Sequence, residues 1–424
     1  MSAYSGSMNI ALRRCVLAAA GLSWCAVAPL AQGGRQAGPQ PAGAGRIDYL
    51  TFAHGAVPVS IGGAGAKLGA NFEHAVRLVD GDPTAFNFVS GASAATDTEF
   101  TYELPALTTF DRFAVPGIME TPSPSTTFTK VVEIHGSSTS ATAGFVLLAS
   151  ETLQTHRARG QVTPVPISQT KAVRWIRLRL VGGIDIRQPA SFFEFSEIIG
   201  NGTQETPQLA THFRGNWQTR GISVSLRQNG PLVSGCYDKS GDLNGTVTGN
   251  ILRATGVNRF DKTPSAFILS VGAEGGLRGV RSSNNGPFRL YTVPAAAAGA
   301  PMECASPSPP RVGCGSIIHG ITFGFDSAEI RPESVPVLAA LYEGLRADPS
   351  RAIVVEGHTS SEGADDYNLR LSERRSEAVV GDLVRRGLAR ERLRAAGIGE
   401  RRPIATNTDE SGRSMNRRVE VKCS

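Results

Sequence analysis

The sequence predicts two all-β units followed by an α/β module, and three observations carry that reading. The chain has 424 residues, too many for one core, and at roughly 150 residues per domain it divides into three. Its first two thirds are punctuated by Gly, Asn, Asp and Pro at short intervals. Runs such as Arg174-Trp175-Ile176-Arg177-Leu178-Arg179-Leu180 alternate strictly there between two faces. Residues 317–424 instead alternate apolar strands with amphipathic helices, the order of an α/β unit.

Residues 1–31 read as a secretory signal peptide. Arg13 and Arg14 supply the charged start, Cys15 to Ala28 the apolar stretch, and Ala28 and Ala31 the small residues of a cleavage site. The apolar run is short for a membrane span and is followed by Pro29. Met8 is an alternative start, and a retained N-terminal anchor is the alternative to cleavage. The expected location is therefore outside the cytoplasm: periplasm, outer membrane or cell wall. Removing the leader takes Cys15 and Cys25 and leaves Cys236, Cys304, Cys314 and Cys423. An even count in an exported chain implies disulfides, with three pairings open. No Cys/His spacing matches a zinc site.

Residues 32–45 form a flexible Pro/Gly spacer. From 46 to 202 the pattern is all-β, with strands expected at 99–104, 112–115, 130–137, 144–150, 174–181 and 192–200. Four pieces, RLVDGDPTAF (77–86), EFTYELP (99–105), RWIRLRL (174–180) and FFEFSEIIGNG (192–202), resemble the discoidin-like, galactose-binding-type jelly roll. The resemblance implies a β-sandwich and a glycan or protein partner for adhesion, although no residue here commits to a glycan. It also implies a structural calcium held by Asp80 or Asp82 together with Glu197, oxygen donors that suit a hard cation. Taken alone, Asp80-Gly81-Asp82 reads as a turn closed by Asx hydrogen bonds.

Residues 207–293 contain seven or eight short strands about ten residues apart, which predicts a small antiparallel barrel-like unit filled by its own side chains. Its opening, Phe213-Arg214-Gly215-Asn216-Trp217, resembles the Gly-x-Trp of lipocalin-like barrels. Neither β unit shows the lipid-facing alternation of an outer-membrane barrel. Residues 294–316 form a Pro/Ala/Ser linker, expected to hold the last unit away from the others.

In the last unit a strand at 317–325 leads to Asp326 and Glu329, expected to cap and orient the turn that follows. A helix from about Pro332 to Ala347 comes next, with Val335, Leu338, Leu341 and Leu345 on its inner side. A short strand, Ile353-Val354-Val355, then delivers a polar loop, His358 to Asp366, to a helix running from Tyr367 to Arg386 and stopped by Gly387. Leu393–Gly399 and Arg417–Lys422 read as the closing strands. Such a strand–loop–helix junction exposes backbone N–H groups and is a place to hold a small ionic ligand. Arg375 lies on or beside the apolar stripe of Leu371, Val379 and Leu383, so its charge calls for a carboxylate or a ligand. Residues 317–424 hold 17 basic and 17 acidic side chains, and this balance argues against nucleic acid. All those basic residues except Lys422 are arginine, the residue suited to gripping carboxylates.

Four pieces in order, ITFGFDSAEI (321–330), EGHTSSEG with YNLRLSERR (356–375), GIGERRPIATN (397–407) and GRSMNRRVEV (412–421), resemble the OmpA-like, peptidoglycan-associating domain. The resemblance implies that the loop and helix hold the diaminopimelate of a peptidoglycan stem peptide. The implied binding residues are Thr359, Ser360, Asn368, Arg375 and Arg418, the last in an Asn416-Arg417-Arg418 segment that closes the site. Where the family has aspartate after Gly-His-Thr, this chain has Ser360, and Glu362, Asp365 and Asp366 are the candidates to replace its charge. Cys314 precedes the first strand of this unit and Cys423 follows the last. If those strands are antiparallel neighbours the two pair, leaving Cys236 for Cys304. No nucleophile elbow, zinc-protease motif or phosphate loop occurs, and His358 beside Ser360 and Ser361 lacks an orienting acid. The expectation is a non-catalytic envelope protein anchored to peptidoglycan. The alternative is an envelope scaffold in which Ser360 has weakened or abolished wall binding.

Overall fold

The structure, a computed structural model, describes residues 46–84, 86–91, 97–116, 129, 131–154, 156, 161–182, 184–185, 190–296, 310–347 and 351–424. Residues 1–45, where a signal peptide and a spacer are expected, and most of the expected Pro/Ala/Ser linker, with Cys304, lie outside them. No helix of the described residues is long and apolar enough to cross a membrane.

The first region is built on one long strand, Asp97–Pro116. Along one half it pairs with Val57–Gly62 and Ala172–Val181, and along the other with Ile199–Gln204 and Val162–Val165. Val131–Ser137 and Val146–Thr152 extend the sheet beyond Ala172–Val181, all antiparallel. The expected strands at 99–104 and 112–115 are thus one strand, with the register shifting between Glu103 and Thr108. Alternation in the Arg174 run does what its period dictates. Ile176, Leu178 and Leu180 are fully buried, while Arg177 and Arg179 on the opposite face meet Glu99, Asp97 and Glu133. Arg174, of the same parity as Ile176, pairs with Glu103 nearer the strand start. A second sheet, of Phe86–Gly91, Ile184–Asp185 and Ala190–Phe195, completes the region. A helix that the strand pattern did not foretell, Phe72–Arg77, starts at Asn71 with a capping box.

The second region is an eight-stranded antiparallel meander from Gly215–Thr219 to Arg289–Val293, each strand paired with the next. Its two ends meet through a Trp217–Ala295 bridge. The interior is packed with Phe213, Trp217, Tyr237, Phe267 and Tyr291. Arg281 sits among the last three rings and pairs with Asp238 at 2.5 Å. Cys236 is disulfide-bonded.

In the C-terminal unit, β1 (Ile317–Ile318), β2 (Ile353–His358), β3 (Leu393–Gly399) and β4 (Val419–Cys423) form one sheet in the order β1-β4-β2-β3. Only β2 and β3 run parallel. Helices α1 (Val335–Arg346) and α2 (Asp365–Arg385) bury Leu338, Leu341, Leu345, Val379 and Leu383 with Val355 and Val421 of the sheet. Gly387 stops α2 at φ 113°. The expected strand at 317–325 keeps regular pairing only at Ile317–Ile318, followed by a Phe323–Ile330 bridge. A third helix, α3 (Glu410–Asn416), starts where the Asp409 side chain accepts from the Gly412 N–H. β1 and β4 are antiparallel neighbours, and a disulfide joins Cys314 to Cys423 with their Cα atoms 5.4 Å apart.

The linker does not hold this unit apart, contrary to the sequence expectation. All the described residues fall within one compact unit, Gln40–Ser424. Met415 and Ala405 join the core of the first region, as do Ile251, Ala266, Ile268 and Val280 from the second. Leu232 of the second region enters the C-terminal core. Apolar side chains facing outward from each sheet are buried by the next region, which gives the linker nothing to keep apart.

Cys314–Cys423 closes a segment of 109 residues. Cys423→Ser should therefore cost about 3–5 kcal/mol of stability, read as a lower urea midpoint than the oxidised parent. Equal midpoints would show that the cross-link restrains nothing.

Candidate functional site

The loop after β2 is fixed from beneath by small residues. A Cβ on Gly357 would fall 2.4 Å from the Ser372 carbonyl oxygen, so α2 packs directly on the strand end. Ser376 Oγ donates to the Ala396 carbonyl at 2.9 Å, and Ser372 Oγ accepts from the Gly399 N–H at 2.9 Å. The Thr359 N–H donates to the Gly399 carbonyl at 3.0 Å and the Ser361 N–H to Asn407 Oδ1 at 3.2 Å. His358, Thr359 and Ser360 are buried as a result.

Ser360 donates its hydroxyl to Glu362 Oε2 at 3.0 Å. The Glu362 carboxylate also lies 3.5 Å from Arg417 Nη1 and 3.7 Å from Arg413 Nε. Those two arginines share a second carboxylate, Glu410, which pairs with Arg413 at 2.9 Å and with Arg417. Burial opposes charge on Glu410, but Arg417 and Arg413 overrule it and hold the carboxyl at about 2. Of the three acids considered as replacements at Ser360, Glu362 is the one that the structure brings there. Asp365 is committed to Arg401, at 2.9 and 3.2 Å.

Arg375 is half-buried at the edge of this cluster. Its Nε donates to the Ser327 carbonyl at 2.9 Å and its guanidinium lies 5.0 Å from the Phe323 ring centroid. Among the described residues no carboxylate is paired with it at 4.0 Å or less. Burial pulls the group down to about 10, the charge of Arg417 adds to the effect, and the charge of Asp326 opposes it in part. Asn368, buried on the same helix, donates to Glu400 at 2.5 Å. Thr359 Oγ1 is buried with no hydrogen-bond partner.

Arg418 is placed otherwise than the site reading expected. It is buried against Glu420, at 2.6 and 2.8 Å, and donates to the Arg402 carbonyl at 2.9 Å. Successive residues of extended chain point opposite ways, so its neighbour Arg417 is the one that meets Glu362. Sequence reasoning also missed Glu410 and Arg413. With Arg417 they stand at i, i+3 and i+7, one face of a helix, but seven residues are too few for that period to stand out.

His358 lies behind the loop, 3.6 Å from Glu420 and 4.0 Å from Glu356. Burial, then the charge of Arg418, pull it down to about 4, so its ring is neutral. These three residues are the group of described side chains whose ligand atoms come within 4.8 Å of one another. Both Glu420 oxygens already accept from cations, Arg418 and Lys422. Asp80, Asp82 and Glu197, the residues considered for calcium, form no such group. Asp80 Oδ1 accepts from the Asp82 N–H and Asp82 Oδ1 from the Thr84 N–H, which is the Asx-turn arrangement.

Residues 322–417 match the model of the OmpA family. The C-terminal unit carries an OmpA family domain. Outer membrane porin F of Pseudomonas fluorescens is 42% identical over 101 residues, 24% of this chain and 31% of the porin. The peptidoglycan-associated lipoprotein of Pseudomonas putida is 39% identical over 100 residues, 24% of this chain and 60% of the lipoprotein. The crystal structure of the peptidoglycan-associated lipoprotein from Burkholderia pseudomallei is 30% identical, covering 24% of this chain and 88% of that one, with a TM-score of 0.23. The chain thus spans less than two thirds of these curated relatives, and the OmpA family match does not reach either β region.

Burial pushes the Asp80 carboxyl up to about 7, with the charges of Asp82 and Asp409 adding to it. The folded protein then keeps a proton that the unfolded chain releases near pH 4. Folding takes up protons in that window, so stability falls as pH rises from about 4 to about 7. Asp80→Asn should shrink the drop in thermal midpoint between about pH 5 and about pH 8. Equal drops in parent and variant would refute this.

Proposed function

We propose that this is a non-catalytic, exported envelope protein that associates non-covalently with peptidoglycan through its C-terminal OmpA family domain. The observation that carries the reading is Arg375, a half-buried guanidinium beside the loop that has a carbonyl and a ring but no carboxylate in ion-pair contact, Asp326 acting on it only from farther off. A buried cation left in that state costs several kcal/mol unless a ligand anion completes it. The name of the matched Pseudomonas putida lipoprotein supports the same ligand class.

In this reading Arg375, with Arg417 beside it, takes the carboxylate of a diaminopimelate side chain. Glu362, held by the Ser360 hydroxyl, takes the ammonium group, and Asn368 and Thr359 line the site between them. The β regions present adhesive surfaces to a glycan or protein of the envelope. One observation favours the alternative, a scaffold with weakened wall binding: Glu362 is already within ion-pair distance of Arg413 and Arg417. An ammonium group must therefore compete with two guanidinium groups for it.

Sedimentation with purified peptidoglycan separates the two. Arg375→Ala should abolish pelleting with the circular dichroism spectrum unchanged, a loss of about 2–5 kcal/mol for a desolvated charge pair. Glu362→Gln should weaken pelleting roughly tenfold, as expected for a hydrogen bond to a charged group. Undiminished pelleting of Arg375→Ala would sink the wall reading.

A further inference from the structure

The geometry points to the Asp80–Gly81 turn of the first β region as a built-in support of the wall site, with Asp80 and Gly81 acting as positioning residues through Glu410 and Arg413. The inference rests on the peptidoglycan reading above, and the turn lies outside the matched OmpA family segment.

The hydrogen bonds and ion pairs form an unbroken chain. The Glu410 N–H donates to the Asp80 carbonyl at 2.8 Å, and Arg413 Nη2 donates to the Gly81 carbonyl at 2.8 Å. Arg413 is thereby held from both ends, by Gly81 on one side and by the Glu410 carboxylate on the other. Glu410 fixes Arg417 as well, and Arg413 and Arg417 together locate the Glu362 carboxylate over Ser360. Arg417 is also the cation that acts most strongly on Arg375. Glu362 and Arg417 are thus placed by α3, whose first turn is hydrogen-bonded to the turn at Asp80–Gly81, while Arg375 is held on α2 by Ser327 and Phe323. Met415 on the same helix is fully buried in the core of the first region.

The fit at Gly81 is close enough to be tested. Its φ is +77°, and a Cβ there would lie 2.3 Å from Glu410 Cβ. A side chain of any size would push the turn away from α3. α3 would then lose its backbone anchor and Arg413 its outer partner. Glu362 and Arg417, already 3.5 Å apart, would lose the fixed position from which they meet the ligand.

Three full-length variants, Gly81→Ala, Arg413→Lys and Arg375→Ala, are titrated with a soluble diaminopimelate-containing stem peptide by calorimetry. Hydrogen exchange of the Asp82 and Glu410 amides is followed with and without the peptide. Gly81→Ala should weaken binding roughly tenfold, the scale of one loosened charge-assisted hydrogen bond. Arg413→Lys keeps the charge beside Glu410 but removes the fork that reaches Gly81, so it should weaken binding as well and serves if Gly81→Ala does not fold. In the parent, peptide should slow exchange at Asp82, which touches no ligand, because coupling between two sites is reciprocal. That slowing should vanish in Gly81→Ala. If Gly81→Ala and Arg413→Lys bind as the parent does while Arg375→Ala does not, the support role is overturned and the wall site stands. Weaker binding with no peptide effect at Asp82 in the parent also overturns it, since the turn would then matter only to folding. Parent-like binding by Arg375→Ala overturns the wall reading and this inference with it.

Discussion

The Glu410 carboxylate, buried between Arg413 and Arg417, is the group on which the arrangement of this molecule turns. Removing a carboxylate from water costs several kcal/mol, and only good geometry with more than one cation offsets it. Here the offset is visible in the carboxyl's fall to about 2. The neighbouring acids show what happens without it. Asp48 accepts only backbone N–H groups and is pushed up by burial to about 7. Glu197 is pushed well above the usual carboxylate range, by burial first and then by Asp48 and Asp80. Similar burial gives opposite protonation because the guanidinium groups are committed to Glu410. That commitment is what ties α3, the loop at Ser360 and the first β region to one another.

Arginine placement elsewhere sharpens the meaning of Arg375. Arg281 is also buried among aromatic rings, yet Asp238 is 2.5 Å away. Arg418 is more deeply buried and meets Glu420 through two nitrogens. Arg179 bridges Asp97 and Glu133 on an open sheet face. Pairing is not universal, since Arg253 is buried on the Ala53 carbonyl and is pulled down by burial to about 10, so what sets Arg375 apart is its place beside the loop at Ser360. Arg375 receives half of a solvation shell, a carbonyl and a ring face, and the negative half is left to be supplied.

What the sequence made legible follows from period and local chemistry. The Arg174 strand was readable because every second residue repeats the same choice of face. Helix α2 was readable because Leu371, Val379 and Leu383 repeat at helical spacing over 21 residues. The loop at Gly357–Ser360 was readable from its family motif, but the replacement of aspartate by Ser360 left Glu362, Asp365 and Asp366 open, and only the structure brings Glu362 to it. Other features lie beyond any local signal. Whether Arg417 or Arg418 faces the loop depends on how the chain leaves α3, where one residue decides the side. The close packing of the three regions rests on pairs such as Arg413 with Gly81 and Asn250 with Gly55, separated by hundreds of residues. A Pro-rich linker suggests separation, but linker stiffness cannot compete with apolar faces that all three regions leave to be covered.

The charges around the loop also set what the site can accept first. Arg375, Arg413 and Arg417 stand against Glu362 and Glu410, so the cluster keeps one positive charge over, offset only from beyond 4.0 Å by Asp326. In a partly desolvated niche that excess acts at low effective dielectric. Under the proposed wall binding the group drawn in first is therefore an anion, and Arg375, which pairs with no carboxylate at 4.0 Å or less, receives it. Once a carboxylate is bound there, the excess is cancelled and the pull of Arg417 on Glu362 is shared with the incoming charge. Glu362 is then better able to turn toward an ammonium group on the same ligand. A zwitterionic end, carboxylate and ammonium on one carbon, supplies both in the required order. Aspartate directly after Thr359 would offer its charge at once and without competition. Under the proposed wall binding, serine there, with the acid two residues on, makes recognition of an ammonium conditional on the carboxylate having arrived.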